Sequence, residues 1–349
     1  MRDHGLGANR RGFLRTLAML GIGGRALLRA WDARAAAATA EAAGLPLPPM
    51  THRRLGRTGW EASRLVFGCG AALYSRPNDP LLRAAFEAGI NVFDVGYRGY
   101  YEDAEKHLGP FAREMRDRIF LISKAEVPLE VGPDDVVTTA QARSGASGWA
   151  AALEGSLREL GVEHVDAYYL MASSNPSLVG SDEIQNAFQK ARQAGKVRFL
   201  GLSTHQNAQK VLEAAIRSGG YDVAMIAITP AGWYDWKDKS ILEGSPPMTG
   251  LEPLLARARE AGIGLVGMKA GRHLTGRGFL GRGNPRAFDA HYDEKVLRSK
   301  LSPHQRSYAY VLEHGLDVVN ADMQSLAHLR ENVVAAATSP HYFEKVSSG

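Results

Sequence analysis

Apolar positions along residues 53–338 follow two alternating rhythms. Short runs rich in Val, Ile, Leu and Ala read as buried strands over 65–68, 91–94, 119–124, 167–171, 198–203, 223–229, 264–269 and 317–320. Between them, stretches with apolar residues three and four apart predict helices over 80–88, 148–160, 181–194, 207–218, 251–261, 303–314 and 325–337. Strands alternating with helices call for a parallel sheet. Eight of them suit an α/β fold of the closed (β/α)8 TIM-barrel kind, which takes about 250 residues. The rival is a doubly wound sheet, whose dinucleotide site would put three spaced glycines after the first strand. Gly68-Cys69-Gly70 lacks the third. The irregular stretches 125–147, 231–250 and 270–301 each follow a strand. All three therefore fall on the C-terminal face, where barrels of this kind carry their active sites.

Charge separates the chain into a leader and a body. Of 42 basic and 37 acidic residues, seven Arg and two Asp fall in residues 1–40, leaving 35 of each in the rest. A body so nearly neutral does not present the concentrated basic surface that nucleic-acid binding needs. Asn9-Arg10-Arg11-Gly12-Phe13-Leu14, a modest apolar stretch and an Ala-rich run resemble a twin-arginine export signal. That resemblance implies the twin-arginine export machinery as a partner and a periplasmic or otherwise exported location. The apolar stretch, 17–24, is too short for a spanning helix of about 20 residues, so no stable membrane anchor is expected. The expected organisation is a signal peptide over 1–40, a Pro-rich linker over 41–52, a barrel over 53–338 and a tail over 339–349. The single cysteine, Cys69, forms no internal disulfide, and the scattered His273, His291 and His304 suggest no metal site.

Asp94 and Lys124 end consecutive predicted strands, so their side chains can meet over one barrel mouth. Singly, an Asp after a strand reads as a helix cap and a Lys at a strand end as a solvated surface group. Their flanks carry further information. Arg54-Leu55-Gly56-Arg57-Thr58-Gly59, Ala88-Gly89-Ile90-Asn91-Val92-Phe93-Asp94, Tyr101-Glu102-Asp103-Ala104-Glu105 and Arg118-Ile119-Phe120-Leu121-Ile122-Ser123-Lys124 stand in order. Together they resemble the aldo-keto reductase family from about Arg54 to Ala337. The resemblance implies a β-hairpin before the first barrel strand and a nicotinamide cofactor, NAD(P)H. It also implies hydride transfer between that cofactor and a small-molecule carbonyl or alcohol substrate. Tyr101 would be the general acid/base, Lys124 would lower its pKa, and Asp94 would hold the lysine. Tyr97, Tyr100 and Tyr101 compete for the tyrosine role, and the Glu-Asp-Ala-Glu that follows selects Tyr101, with Tyr100 next.

The same resemblance places cofactor contacts at Ser203, Lys269, Gly271, Gln324, His328, Glu331 and Asn332. It also exposes departures. Met171 stands where the family has a catalytic histidine, and a thioether donates no proton. Met225 and Thr229 stand where a Gln and an Asn are usual. Asp322 and His328 stand where cations usually hold a 2′-phosphate, and Asp322 would repel that group, which opens the site to NAD(H). His205, after the fifth strand, is the nearest substitute for the missing imidazole. Two readings follow. One is an atypical NAD(P)-dependent oxidoreductase. The other is a catalytically impaired barrel that serves as a binding or accessory protein. Metal-assisted hydrolysis is a weaker third. Trp233, Tyr234 and Trp236 could line a substrate pocket or pack the loop after the sixth strand.

Overall fold

The computed structural model describes residues 47–127, 129–274 and 283–342. The export signal expected over 1–40 lies outside them. A hairpin opens the body: β1 (His52–Arg54) pairs antiparallel with β2 (Glu61–Ser63), and Gly59 turns the chain at a φ of 72°. The barrel strands are β3 (Leu65–Gly68), β4 (Val92–Asp94), β5 (Phe120–Glu126), β6 (Val165–Met171), β7 (Val197–Thr204) and β8 (Val223–Thr229). A short antiparallel arm, β9 (Gly232–Asp235) and β10 (Ser240–Ile241), interrupts the series before β11 (Gly264–Met268) and β12 (Val318–Asp322). The eight barrel strands pair in parallel in chain order, and β12 returns to β3. The sheet therefore closes, which a doubly wound fold would not do.

Period-two alternation sorts the strand residues into two apolar layers. Residues such as Val66, Ile122, Ala167, Val223 and Val266 fill the barrel, while Phe67, Phe93, Leu121 and Leu170 pack outward against the helices. Fully burying such a side chain contributes about 1.5–3 kcal/mol. The hairpin plugs the N-terminal end: Trp60 lies 5.9 Å from Phe120, which stacks on Phe199 at 5.9 Å. With that end sealed, the C-terminal mouth is where the interior opens.

The expected strands lie where the sequence puts them, within one or two residues at each end. The helices differ more. The helix Thr139–Leu160 starts nine residues before the predicted 148. Its first turns hold Gly145 and Ser147, poor helix formers. Packing overrides that preference: a Cβ at Gly145 would lie 2.9 Å from Val127 Cγ1. Thr138 also caps the helix, its Oγ1 accepting from the Gln141 N–H while Gln141 Oε1 accepts from the Thr138 N–H. A helix Ala104–Glu114 fills a stretch to which no helix was assigned, burying Ala104, Leu108, Phe111 and Ala112 on one face. The last helix, Leu326–Tyr342, runs into the segment expected as a tail.

Candidate active site

Asp94 ends β4 and Lys124 lies near the end of β5; both are buried. Lys124 Nζ donates to Asp94 Oδ1 at 2.7 Å, to Asp94 Oδ2 at 2.6 Å and to the Val95 carbonyl at 2.6 Å. All three ammonium protons are thus committed, and the group is held in one orientation. Asn320 on β12 reaches across and donates from Nδ2 to Asp94 Oδ2 at 2.7 Å. Burial pushes the Asp94 carboxyl up, against the Lys124 charge and these hydrogen bonds. The short, doubly bonded contact describes an ion pair whose anion is fixed from two strands.

Tyr101 ends the short helix Arg98–Tyr101. Its ring slots between two backbones: a Cβ at Gly70 would lie 2.3 Å from Tyr101 Cε1, and one at Gly96 2.7 Å from Cδ2. Glycine is needed at both places for close approach. Lys124 Nζ lies 5.3 Å from the centroid of that ring. The segment is tied to β5 from behind, where Ser123 Oγ donates to the buried Glu105 Oε1 at 2.5 Å and accepts from the Lys124 N–H at 2.7 Å.

The three tyrosines part company here. Tyr97 Oη donates to Glu126 Oε2 at 3.4 Å, and Tyr100 is 42 % exposed, packed edge-on against Tyr101 at 4.8 Å. Tyr101 has its ring beside Lys124. The expected lowering of its pKa is not what the surroundings produce. Burial first, then the Asp94 charge, push the phenol well above its usual value. The physical reason is burial of the ring together with the carboxylates around it, Asp94 first, then Asp322 and Glu126, all of which disfavour a phenolate.

A cavity of about 520 Å³ opens over this group. Asp94, Tyr101, Lys124, Ser203, Lys269, Gly271, Gln324, His328, Glu331 and Asn332, the full set proposed from sequence, all line it. Ser203 Oγ accepts from the Ala172 N–H at 3.1 Å. Lys269 holds a left-handed backbone (φ 68°) and belongs to no ion pair among the described residues. Desolvation, then the neighbouring Arg272 charge, bring its pKa down to about 8. Gln324 Nε2 donates to Asp322 Oδ2 at 3.2 Å, the Ser302 hydroxyl donates to Glu331, and Asn332 is buried.

Met171 and Met225 face the same space, joined by Met268, which the sequence reading did not single out. Thr229 is spent locally, donating to the Gly232 carbonyl at 3.1 Å. His205 also lines the cavity; burial and the charges of Lys269, Lys124 and Lys239 bring its pKa down to about 3. It is therefore a neutral imidazole in the ordinary pH range. Asn320, Arg272, His304 and Tyr308 are further lining residues missed from sequence. Asn320 alone had a readable signal, a polar side chain inside a buried strand.

An eight-stranded closed barrel with a buried carboxylate–lysine pair and a clamped tyrosine at its C-terminal mouth defines a narrow class. Residues 76–242 match the model of the aldo/keto reductase family. "Probable aldo-keto reductase 1" of Glycine max is 25 % identical over 320 residues, covering 81 % of this chain and 84 % of that protein. L-glyceraldehyde 3-phosphate reductase of Escherichia coli K12 is 28 % identical over 178 residues, 47 % of this chain and 49 % of that one. Among solved structures, the holo form of an aldo-keto reductase from Bacillus halodurans superposes with a TM-score of 0.58 at 22 % identity. That match covers 82 % of this chain and 90 % of the other. An aldo-keto reductase from Klebsiella pneumoniae in complex with NADPH gives a TM-score of 0.57 at 19 % identity, covering 82 % and 89 %.

Proposed function

We propose that the protein is an NAD(P)-dependent oxidoreductase acting on a carbonyl or alcohol substrate, with Tyr101 as its proton donor. The observation that carries this reading is the Lys124 ammonium, held by Asp94 on one side and set beneath the Tyr101 ring on the other, at the floor of an open cavity. A nicotinamide cofactor, when bound, supplies or accepts a hydride. The chain's own residues do the rest. Tyr101 delivers a proton from Oη to the carbonyl oxygen as charge builds there. Lys124 would supply a fixed positive charge near the developing alkoxide, and Asp94 with Asn320 keeps it aimed.

The lining fits such a cofactor. Lys269, a half-buried cation in no ion pair among the described residues, suits a diphosphate, and the missing side chain at Gly271 leaves its backbone approachable: a Cβ there would lie 2.8 Å from His304 Cδ2. In this reading Ser203 would hold the nicotinamide, and Gln324, His328, Glu331 and Asn332 would hold the adenosine. Asp322 on the same wall disfavours an additional phosphate, which inclines the site to NADH over NADPH. Met171 replaces the family's histidine, so Tyr101 acts without an imidazole at that position. His205 offers a neutral one from β7.

Met171 and Met225 also motivate the second reading, a binding barrel without turnover. Titrating NADH and NADPH while following tryptophan fluorescence separates the two. Saturable binding followed by reduction of an aldehyde supports the enzyme, and binding without turnover supports the accessory role. The Arg10-Arg11 leader makes this an exported protein in our reading. Replacing both arginines by lysine is expected to leave it in the cytoplasmic fraction.

A further inference from the structure

We propose that Glu105 is a positioning residue for the reaction: its carboxyl clamps the Tyr101 segment to the strand that carries Lys124, and so sets where the phenol stands. The proposal rests on the oxidoreductase reading above. The segment 97–105 is stitched to β5 at both ends, on adjacent residues. At one end the Tyr97 N–H donates to the Lys124 carbonyl at 2.8 Å. At the other, Glu105 Oε1 accepts from Ser123 Oγ at 2.5 Å, and Ser123 Oγ accepts in turn from the Lys124 N–H at 2.7 Å. Tyr101 stands midway, four residues from each stitch. The residue after it, Glu102, is not glycine yet holds a φ of 49°. Such a backbone costs about 1–3 kcal/mol and persists only where its surroundings over-determine it. The two stitches supply that restraint, helped on the exposed side by the Arg98–Asp103 ion pair at 3.0 Å.

Packing alone gives no reason for a carboxyl here. Glu105 is buried in the helix Ala104–Glu114 along with Ala104, Leu108, Phe111 and Ala112. Ser156 is its second polar neighbour, and Ser156 Oγ shares a hydrogen bond with Tyr168 Oη at 3.0 Å. Glu105 Oε2 has no hydrogen-bond partner among the described residues. A buried polar atom left unmet costs about 1–3 kcal/mol, a cost that leucine at this place would not carry. What the carboxyl does and leucine cannot do is accept from Ser123, the residue next to Lys124. Burial pushes the Glu105 carboxyl up, against the hydroxyls of Ser123 and Ser156, which favours its neutral form. Glutamine copies the shape of that form and keeps an acceptor for Ser123. The clamp therefore acts by hydrogen bonding and not by charge.

The test compares the wild type with Glu105→Leu, Ser123→Ala and Glu105→Gln, each as the full chain. One readout is kcat for reduction of benzaldehyde and of glyceraldehyde by NADH or NADPH, taken beside the cofactor's dissociation constant. The other is the fluorine NMR spectrum of protein labelled with fluorotyrosine, in which the line absent from Tyr101→Phe belongs to Tyr101. Glu105→Leu and Ser123→Ala cut the same stitch from opposite ends. Both should lower kcat about ten- to a hundred-fold, leave cofactor affinity unchanged, and shift or broaden the Tyr101 line. Glu105→Gln should restore kcat and the line. Should Glu105→Leu not fold, Ser123→Ala carries the test. Lower thermal stability with kcat and the Tyr101 line unchanged overturns the proposal, since Glu105 then serves only the fold. So does a Glu105→Gln variant as impaired as Glu105→Leu, since the acceptor for Ser123 is then not what matters. A Tyr101 line that moves with the stitch, in a chain that reduces neither aldehyde with either cofactor, would sustain the clamp and defeat the oxidoreductase reading instead.

Discussion

A phenol that must hand a proton to a forming alkoxide has to be protonated and held still. Burial keeps Tyr101 protonated, and Gly70 and Gly96 hold its ring. Because its pKa is raised, the donor form persists throughout the neutral and mildly alkaline range. Carbonyl reduction at saturating substrate should therefore show no loss of rate between about pH 6 and 9 that traces to this residue. A midpoint near neutrality that vanishes in Tyr101→Phe would contradict the raised pKa, because it would show the phenol titrating in that range. Tyr101→Phe itself is expected to lower kcat/KM by about 10²–10⁴-fold while leaving cofactor affinity in place. Lys269 behaves oppositely. Its pKa, depressed to about 8, means its charge is present below that pH and lost above it. Cofactor affinity should fall as pH rises through about 8, and Lys269→Met should remove the inflection. Asp322→Asn should narrow the expected preference for NADH over NADPH, as measured by the ratio of their dissociation constants. At this scale the sequence was informative about which residues meet, since the full set proposed from it shares one cavity. It misled on the sign of the Tyr101 shift. A strand pattern shows that Asp94 and Lys124 can touch, but not how deeply the Tyr101 ring is buried nor that carboxylates surround it.

Strands were more legible than helices, for a physical reason. A buried parallel strand is a short apolar run whose neighbours hardly alter it. The helix Thr139–Leu160 instead depends on a partner, since Gly145 is tolerated only because Val127 and Leu178 pack where its side chain would be. The Thr138–Gln141 box was written in the sequence at its start, and Thr138→Ala is expected to cost about 1 kcal/mol in thermal unfolding. The arm β9–β10 fell within an irregular stretch because a two-residue strand has too little pattern to read. Gly70 joins element to chemistry. It lies inside a short helix, Cys69–Leu73, where alanine is the better helix former. Gly70→Ala would nonetheless drive a methyl into the Tyr101 ring. Turnover should fall, and the melting temperature with it, since the overlap outweighs the gain in helix propensity; unchanged turnover would mean the ring is not where the reaction needs it.

At the scale of the molecule, closure of the barrel does two things. It seals one end with the Trp60 plug and leaves the other as the place where the ends of several strands converge. Asp94 from β4, Lys124 from β5, Met171 from β6, Ser203 from β7, Met268 from β11 and Asn320 from β12 meet because the sheet curls on itself. Polar groups remain on the β4, β5, β7 and β12 sides of that ring, and thioethers occupy the β6, β8 and β11 sides. The central claim is that the polar side is sufficient for hydride chemistry. Its most direct test is transfer of deuterium from NADH or NADPH labelled at the nicotinamide C4 to an aldehyde, read by mass spectrometry of the alcohol. Our account predicts labelled alcohol from the wild type and a loss of at least about a hundred-fold in its rate of formation in Tyr101→Phe. No label in the product from either cofactor, across carbonyl compounds both neutral and anionic, would contradict it.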